Sequence, residues 1–178
     1  MSNSVPFSRV AIIGTGLIGA SFGLALKSAY PNGSIVVFDK PEILRRISDR
    51  DFGWNVAEDV TAAVRNAQLI YLALPIGAAM EVLPVIAGAC DAEALVTDTG
   101  STKAAICRMA ESEFRGGARF LGGHPIAGKE TSGIGNADAA LFRGTRYVVI
   151  GNERESEERV LRFVELIRAI GADRKSVV

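Results

Sequence analysis

The sequence has no excess of charge of either sign, because 20 lysines and arginines balance 20 aspartates and glutamates. Nucleic acids and anionic membranes attract proteins through a net positive field, so neither is predicted as a partner. Cysteine is also scarce: Cys90 and Cys107 lie in alanine-rich segments without the CxxC spacing of metal and redox sites. We interpret them as buried free thiols, which indicates a reducing compartment, the cytoplasm, and no metal site.

A secretion signal and a membrane span are not predicted either. The first nine residues, MSNSVPFSR, lack the basic and then apolar layout of a secretion signal. Residues 69–90 are apolar, but proline, glycine and acidic residues interrupt them, and strand-forming residues dominate their first part. The interrupting residues are Pro75, Gly77, Glu81 and Pro84. A buried strand followed by a helix is therefore the prediction for this segment.

Short apolar runs alternate with longer amphipathic stretches along the chain. The runs predicted as buried strands are residues 10–13, 35–38, 69–74, 95–96, 120–121 and 147–150. The stretches with helical spacing are residues 17–28, 41–50, 57–66, 78–89, 102–114 and 156–170. This alternation predicts an α/β fold of the Rossmann type, a doubly wound and mostly parallel sheet with helices on both faces. Residues 1–8 are predicted as a tail and residues 9–178 as one dinucleotide-binding domain.

Two sections interrupt the alternation. Residues 122–144 are predicted as a long glycine-bearing loop, and such loops often carry functional residues. The last predicted helix closes at Gly171, and residues 172–178 look like a strand that is just beginning. We therefore expect the domain to be truncated at its C-terminal end.

The strongest single signal is the sequence GTGLIG at residues 14–19, between the first predicted strand and the first predicted helix. A GxGxxG pattern alone is weak, but this context is typical of a turn that binds the pyrophosphate of a dinucleotide. Gly14 permits the tight turn, Gly16 lets the backbone approach phosphate, and Gly19 allows close helix–strand packing. The predicted cofactor site comprises Gly14, Thr15, Gly16, Leu17, Ile18, Gly19, Asp39, Pro75 and Ser101.

The end of the second predicted strand indicates which dinucleotide is bound. Asp39 lies 20 positions after Gly19, where an acid that hydrogen-bonds the adenosine ribose is expected. A carboxylate there repels a 2′-phosphate, so NAD is favoured over NADP. Three nearby cations leave NADP open: Lys40, Arg45 and Arg46. The alternative role for Asp39 is to cap the helix that follows it.

Two later segments follow predicted strands and carry reactive side chains. Ser101 lies in a hydroxyl-rich turn at residues 97–103, where the alternative is simple helix capping by Ser101 or Thr102. His124, the sole histidine, follows the strand at 120–121. An imidazole can accept a hydroxyl proton at neutral pH while hydride leaves the adjacent carbon for nicotinamide. His124 is therefore predicted to be catalytic, although it could also be merely packed or capping, while Ser101 at this point is left between a capping and a catalytic role.

At these segments the sequence resembles the nucleotide-binding half of the prephenate and arogenate dehydrogenases. The resemblance is carried by GTGLIGAS at 14–21, Asp39, DTGSTK at 98–103, GGHPIAGKETSG at 122–133 and LFRG at 141–144. It implies NAD-dependent oxidative decarboxylation of prephenate or arogenate, giving 4-hydroxyphenylpyruvate or tyrosine in tyrosine biosynthesis. His124 would accept the hydroxyl proton of the substrate, and Ser101 would bridge that hydroxyl, the histidine and the nicotinamide.

The same resemblance implies further roles and an incomplete chain. Glu130 matches an acidic position near the active-site entrance, Lys103 would help to order the serine turn, and Lys129 departs from a frequent threonine in related sequences. Family members continue into a helical domain that forms the homodimer and supplies a substrate-binding arginine, and this chain ends before it. We therefore expect the isolated chain to bind NAD but to oxidise substrate poorly.

Two alternatives remain open at this point. The first is another Rossmann dehydrogenase that acts on a hydroxyacid, which would use a lysine from a helical domain and give Ser101 and His124 no common task. The second is a non-catalytic module that senses NAD and needs only the glycine turn and Asp39.

Overall fold

The computed structural model of the chain describes residues 5–48, 51–128, 132–150 and 157–177. Within these ranges the strands form one eight-stranded sheet with the order β3-β2-β1-β4-β5-β6-β7-β8. The strands are β1 (Arg9–Ile13), β2 (Ser34–Phe38), β3 (Asn55–Val56), β4 (Leu69–Leu72), β5 (Leu95–Asp98), β6 (Arg119–Ile126), β7 (Arg146–Ile150) and β8 (Asp173–Val177).

All neighbouring strands pair in parallel except β6 and β7. The predicted mostly parallel sheet is therefore confirmed. The chain proceeds from β1 outward to β3 and then returns to place β4 on the other side of β1. This reversal opens a crevice at the carboxyl ends of β1 and β4, which is where doubly wound sheets bind their ligands.

Helices cover both faces of the sheet, as predicted. They are α1 (Leu17–Ala29), α2 (Pro41–Ser48), α3 (Val60–Val64), α4 (Ile76–Ala89), α5 (Ala104–Glu113) and α6 (Glu158–Ala169). Phe22 of α1, Ile47 of α2 and Phe163 of α6 enter the core on one face. Val64 of α3 and Leu83 of α4 enter the core on the other, together with Ile106 of α5. Each sheet face thus has its own apolar core.

Two elements between residues 51 and 68 differ from the prediction. Strand β3 was not predicted, because its two residues are both exposed and give no apolar run. The helix predicted at 57–66 is confined to α3, since Asp59 caps its start by accepting a hydrogen bond from Ala62 N at 2.7 Å. The amide of Ala57, just before this cap, still bonds to the sheet at Val37 O.

The loop predicted at residues 122–144 begins later than expected, after Ile126, and its described residues then reach β7 with only a short 3-10 turn at Ile134–Asn136. Strand β6 continues through Gly122, Gly123, His124 and Pro125, whose types are poor strand formers except for histidine. The first part of β6 pairs with β5, and its second part pairs with β7 in the opposite direction. Pairing with β7 therefore outweighs the weak β-propensity of these residues, and β6 continues beyond the end of β5.

The two ends of the chain are partly as expected. Phe7 lies in the predicted tail, yet its side chain is buried in the core and the Arg162 guanidinium lies 5.5 Å from its ring. At the other end, the beginning strand is present as β8, which pairs with β7. The boundary of the domain at residue 9 stays a prediction, with the core reaching at least to Phe7.

The apolar segment 69–90 forms β4 and α4, as predicted. None of the helices in the described parts of the chain is long and apolar enough to cross a membrane. Cys90 and Cys107 are free, but they are half-buried rather than buried. Partial burial raises the pKa of both thiols, so they stay protonated at neutral pH.

Candidate active site

The predicted site residues follow the carboxyl ends of neighbouring strands. Gly14 follows β1, Asp39 follows β2, and Pro75 comes three residues after the end of β4. Ser101 follows β5, while His124 lies within the part of β6 that extends past β5. Because parallel strands end at a common edge, the fold brings all five to the edge that opens at the β1–β4 crevice.

The glycine turn needs glycine at both of its ends. Gly14 has a φ of +93°, and its amide donates to Phe38 O at 2.9 Å, which joins the turn to β2. A Cβ on Gly14 would lie 2.5 Å from Ala73 O, and a Cβ on Gly19 would lie 1.9 Å from Gly14 O. Neither distance is compatible with a side chain, so these glycines allow α1 to pack directly against the turn.

The middle of the turn is open and suited to an anion. A Cβ on Gly16 would meet no atom within 4 Å, so the backbone is accessible on that side. Gly16 is also the N-cap of α1, with no capping side chain and no acid in the first turn. The first intrahelical bond runs from Ala20 N to Gly16 O, which leaves the amides of residues 17–19 without intrahelical acceptors. Such uncapped amides fit the pyrophosphate of a dinucleotide.

Asp39 and Thr15 form one unit at the end of β2. Oδ2 of Asp39 accepts hydrogen bonds from Thr15 N at 2.6 Å and from Thr15 Oγ1 at 2.8 Å, while Oδ1 accepts from Lys40 N at 2.7 Å. Thr15 is fully buried, so its hydroxyl holds the Asp39 carboxylate from the protein interior. The carboxylate is half-buried and reaches the crevice edge. The alternative role of Asp39 as a cap for α2 gains no support, since its side chain bonds to the glycine turn and to Lys40.

An open groove of about 750 Å³ lies beside Asp39. Apolar stems line most of its wall, as in a site for a flat heterocycle. Two cations, Lys40 and Arg45, lie at its border, whereas Arg46 does not line it. The lining residues are Phe38, Asp39, Lys40, Pro41, Leu44, Arg45, Ser48 and Glu58. The groove thus has the position and lining expected for the adenosine end of a dinucleotide.

Asp98 organises the serine turn. Its side chain is 2% exposed, and its Oδ2 pairs with Lys103 Nζ and accepts from Gly100 N at 3.1 Å. The cap of α5 is Lys103, without a side-chain capping bond, so the capping alternative for Ser101 and Thr102 is wrong. Ser101 instead lies exposed in the turn. Through the ion pair, Lys103 is linked to the same carboxylate that binds Gly100 in the turn.

His124 is half-buried on β6 opposite Val148. Its Nδ1 lies 3.3 Å from the carbonyl oxygen of Thr99, and Thr99 in turn donates from Oγ1 to Leu72 O at 3.3 Å. With the proton on Nδ1, the ring donates to Thr99 and keeps Nε2 as an acceptor. This is the tautomer that a general base requires.

Buried hydroxyls lie beneath the strand that carries His124. Tyr147 donates to Tyr71 at 3.3 Å, and burial raises the pKa of both phenols well above their usual value, so both stay neutral. A Cβ on Gly123 would lie 3.1 Å from the Tyr147 hydroxyl and 2.5 Å from Asp98 O. Only glycine at 123 therefore lets β6 pass this close to β5.

Sequence reasoning missed the roles of Asp98 and of the Thr99 carbonyl. A signal existed, because a carboxylate that ends a buried strand five residues before a lysine is a candidate for a buried ion pair. Lys129 and Glu130 lie outside the described residues, so their substrate and gating roles stay predictions. Pro75 is exposed at the start of α4, and its contact with cofactor also stays a prediction.

Known proteins match this chain over most of its length. A family model described as prephenate dehydrogenase, nucleotide-binding domain, matches residues 22–175, which begin within α1 and after the glycine turn. A prephenate dehydrogenase of Lactococcus lactis is 38% identical over 152 residues, covering 84% of this chain and 43% of that protein. A cyclohexadienyl dehydrogenase of Zymomonas mobilis is 34% identical over 138 residues, covering 77% of this chain and 47% of that protein.

The fold is also that of solved structures. A prephenate dehydrogenase from A. aeolicus, in complex with hydroxyphenyl propionate and NAD+, superposes with a TM-score of 0.82 at 24% identity, over 96% of this chain and 59% of that chain. An arogenate dehydrogenase from Synechocystis gives the same values. At this identity the likeness concerns the fold alone. The chain spans less than half the length of the curated relatives it matches.

Proposed function

Because the chain belongs to the prephenate dehydrogenase family, as its nucleotide-binding domain, we propose that it binds NAD for the oxidative decarboxylation of prephenate or arogenate. The observation that carries the proposal is the meeting of two features at one sheet edge. One is the open, uncapped start of α1 beside Asp39. The other is the pair of segments held by Asp98, which present Ser101 and His124.

The residues present fit the cofactor. The amides of residues 17–19 would hold the pyrophosphate, Asp39 the adenosine ribose, and the groove beside it the adenine. NAD is proposed over NADP because a 2′-phosphate would meet the Asp39 carboxylate. When bound, the nicotinamide supplies an acceptor for the hydrogen and electron pair that leave the substrate carbon.

The chain's own residues would handle the proton. His124 Nε2 would accept the proton of the ring hydroxyl as that carbon is oxidised to a ketone, and Ser101 would orient the hydroxyl. Loss of the ring carboxylate as carbon dioxide then makes the ring aromatic, and the oxygen recovers a proton from His124 as a phenol. His124 thus accepts a proton in the first step and donates it in the last, so it ends in its starting protonation state.

We expect titration calorimetry of the 178-residue chain with NAD to give a Kd below about 1 mM, which corresponds to about −4 kcal/mol. The uncapped helix start and Asp39 supply the contacts without any further domain. The absence of binding at millimolar NAD would contradict the proposal. Catalysis requires a second assay, since the chain spans less than half the length of the curated relatives it matches. We propose a chimera in which this chain replaces the matching part of the Lactococcus lactis relative.

We expect Asp39→Ala to shift the preference from NAD toward NADP. The change removes the ribose acceptor and the charge that opposes a 2′-phosphate, and it leaves Lys40 and Arg45 beside the groove. The ratio of the two Kd values, from calorimetric titration with each nucleotide, should change by about tenfold or more, or roughly 1.4 kcal/mol. Glu42→Gln, at an exposed acid in the first turn of α2, is the matched control. An unchanged ratio in Asp39→Ala would count against Asp39 as the discriminating residue.

Compartment and assembly are part of the same proposal. Two free thiols with raised pKa fit a reducing compartment, so we propose the cytoplasm. A homodimer is proposed for the longer enzyme, formed through its helical domain. The proposed substrate is a small molecule, whether it is prephenate or arogenate.

A further inference from the structure

We propose that Asp98 is a positioning residue: its carboxylate fixes the strand that carries His124 against the turn that carries Ser101. For its catalytic meaning this inference rests on the proposed function. The two oxygens of the carboxylate serve different segments. Oδ2 binds the turn through Gly100 N and Lys103 Nζ, and Oδ1 accepts from Gly123 N at 3.2 Å.

The bridge lies where the backbone ladder ends. The last paired residues of β5 and β6 are Thr97 and Leu121, and beyond them β6 turns to pair with β7. Beyond these residues no strand pairing joins the described segments that carry Ser101 and His124. A carboxylate is a stronger hydrogen-bond acceptor than a neutral carbonyl oxygen, and here its bonds to Gly100 N at 3.1 Å and Gly123 N at 3.2 Å stand where ladder bonds are missing. The Asp98 side chain forms hydrogen bonds to both segments at once.

A second contact next to the first passes this constraint to the imidazole. Asp98 bonds to the amide of Gly123, and the next residue on each segment forms the contact between Thr99 O and His124 Nδ1. The two contacts are consecutive along both segments. Together they fix the spacing of the segments and the tautomer of the ring, because a carbonyl oxygen can only accept. Loss of the Asp98 bridge should therefore release the ring.

Stability alone does not explain the buried ion pair between Asp98 and Lys103. Buried ion pairs often add little stability compared with apolar replacements, because both ions must leave water. The two side chains of this pair are 2% and 10% exposed. What the Asp98 carboxylate does supply is a fixed geometry for three donors on two segments, Gly100 N, Lys103 Nζ and Gly123 N. A base and its hydroxyl partner require such a fixed geometry.

Because His124 is the sole histidine, its state can be measured directly in the 178-residue chain. Nitrogen NMR of protein labelled with ¹⁵N-histidine gives one imidazole. In the wild type we expect the neutral ring to carry its proton on Nδ1. In Asp98→Asn one carboxylate oxygen is replaced by an amide nitrogen, which donates and cannot accept, so one segment is released. Both imidazole nitrogens should then move toward the shifts of a ring that exchanges between tautomers. Asp173→Asn, which breaks the exposed pair with Lys175, is the control and should leave the wild-type shifts.

Folding is checked by circular dichroism, and a second variant covers the case in which Asp98→Asn does not fold. Asp98→Ala/Lys103→Met removes both charges together and leaves no buried ion unpaired. Wild-type nitrogen shifts in a folded variant of either kind would overturn the proposal. NAD titration of the same samples separates the two claims. A wild type that fails to bind NAD contradicts the proposed function, while the imidazole shifts still decide the role of Asp98.

Discussion

His124→Asn is expected to lower kcat for prephenate oxidation by about 10²–10⁴-fold in the chimera, the range that a general base contributes. Asparagine keeps an amide nitrogen that can donate to the Thr99 carbonyl, so the strand should hold its place. It offers no nitrogen that can accept the hydroxyl proton. Because the cofactor contacts lie at the other strand ends, the Kd for NAD should stay close to the wild-type value.

The comparison of kcat with NAD affinity in the same preparation is the essential control, since the chain has no second histidine to substitute. A fall in both would indicate a disturbed fold rather than lost chemistry. An unchanged rate would remove His124 from the reaction and favour a hydroxyacid dehydrogenase with an essential lysine. A protein that binds NAD but shows no turnover in any form would favour the sensing module.

Gly16→Ala is expected to lower the affinity for NAD, whereas Gly19→Ala is expected to lower the stability of the fold. A Cβ at 16 enters open space, so stability should change little, but it occupies the side from which the pyrophosphate approaches. NAD affinity should then fall by about tenfold or more, or roughly 1.4 kcal/mol. A Cβ at 19 would lie 1.9 Å from a backbone oxygen, and no rotation relieves this contact. The helix must move, at a cost of about 1–3 kcal/mol that exceeds the gain of about 1 kcal/mol in helix propensity.

Urea denaturation and NAD titration of both variants test this pair. Each glycine serves as the control for the other, because both residues lie in one turn and receive the same substitution. If Gly16→Ala binds NAD as the wild type does, the pyrophosphate does not lie at this turn. If Gly19→Ala is as stable as the wild type, the close packing of α1 against the turn is not what the glycine provides.

The sequence was most informative where one local signal determined the structure. Strands β1, β2 and β4 are continuous apolar runs in the buried centre of the sheet, and their positions follow from that pattern. Strand β3 gave no such pattern, because its residues are exposed. The second part of strand β6 contains two glycines and a proline, and it is a strand because β7 supplies its partner. A pairing between distant segments cannot be deduced from local propensity.

The same division holds for the site. The positions of the glycine turn and of Asp39 at the ends of β1 and β2 were predictable, because both follow apolar strands at the spacing of a βαβ unit. Asp98 was not predicted, since its role depends on the approach of Gly123, which is 25 positions away. The link between Thr15 and Asp39 is likewise a product of the tertiary fold. Residue types indicated the chemistry, and the contacts that position them came from the structure.

Strand β6 pairs in parallel with β5 and then antiparallel with β7. The glycine turn and His124 are therefore held in place by different segments of the chain. The glycine turn and the groove beside Asp39, proposed for the pyrophosphate and the adenosine, follow β1 and β2 and precede residue 76. His124, the proposed base, is carried by a strand whose second part pairs with β7, which in turn pairs with β8. Thus changes in the last 30 or so residues would reach His124 through strand pairing and leave the nucleotide turn in place. The affinity for cofactor and the competence of the base can therefore vary independently within one sheet.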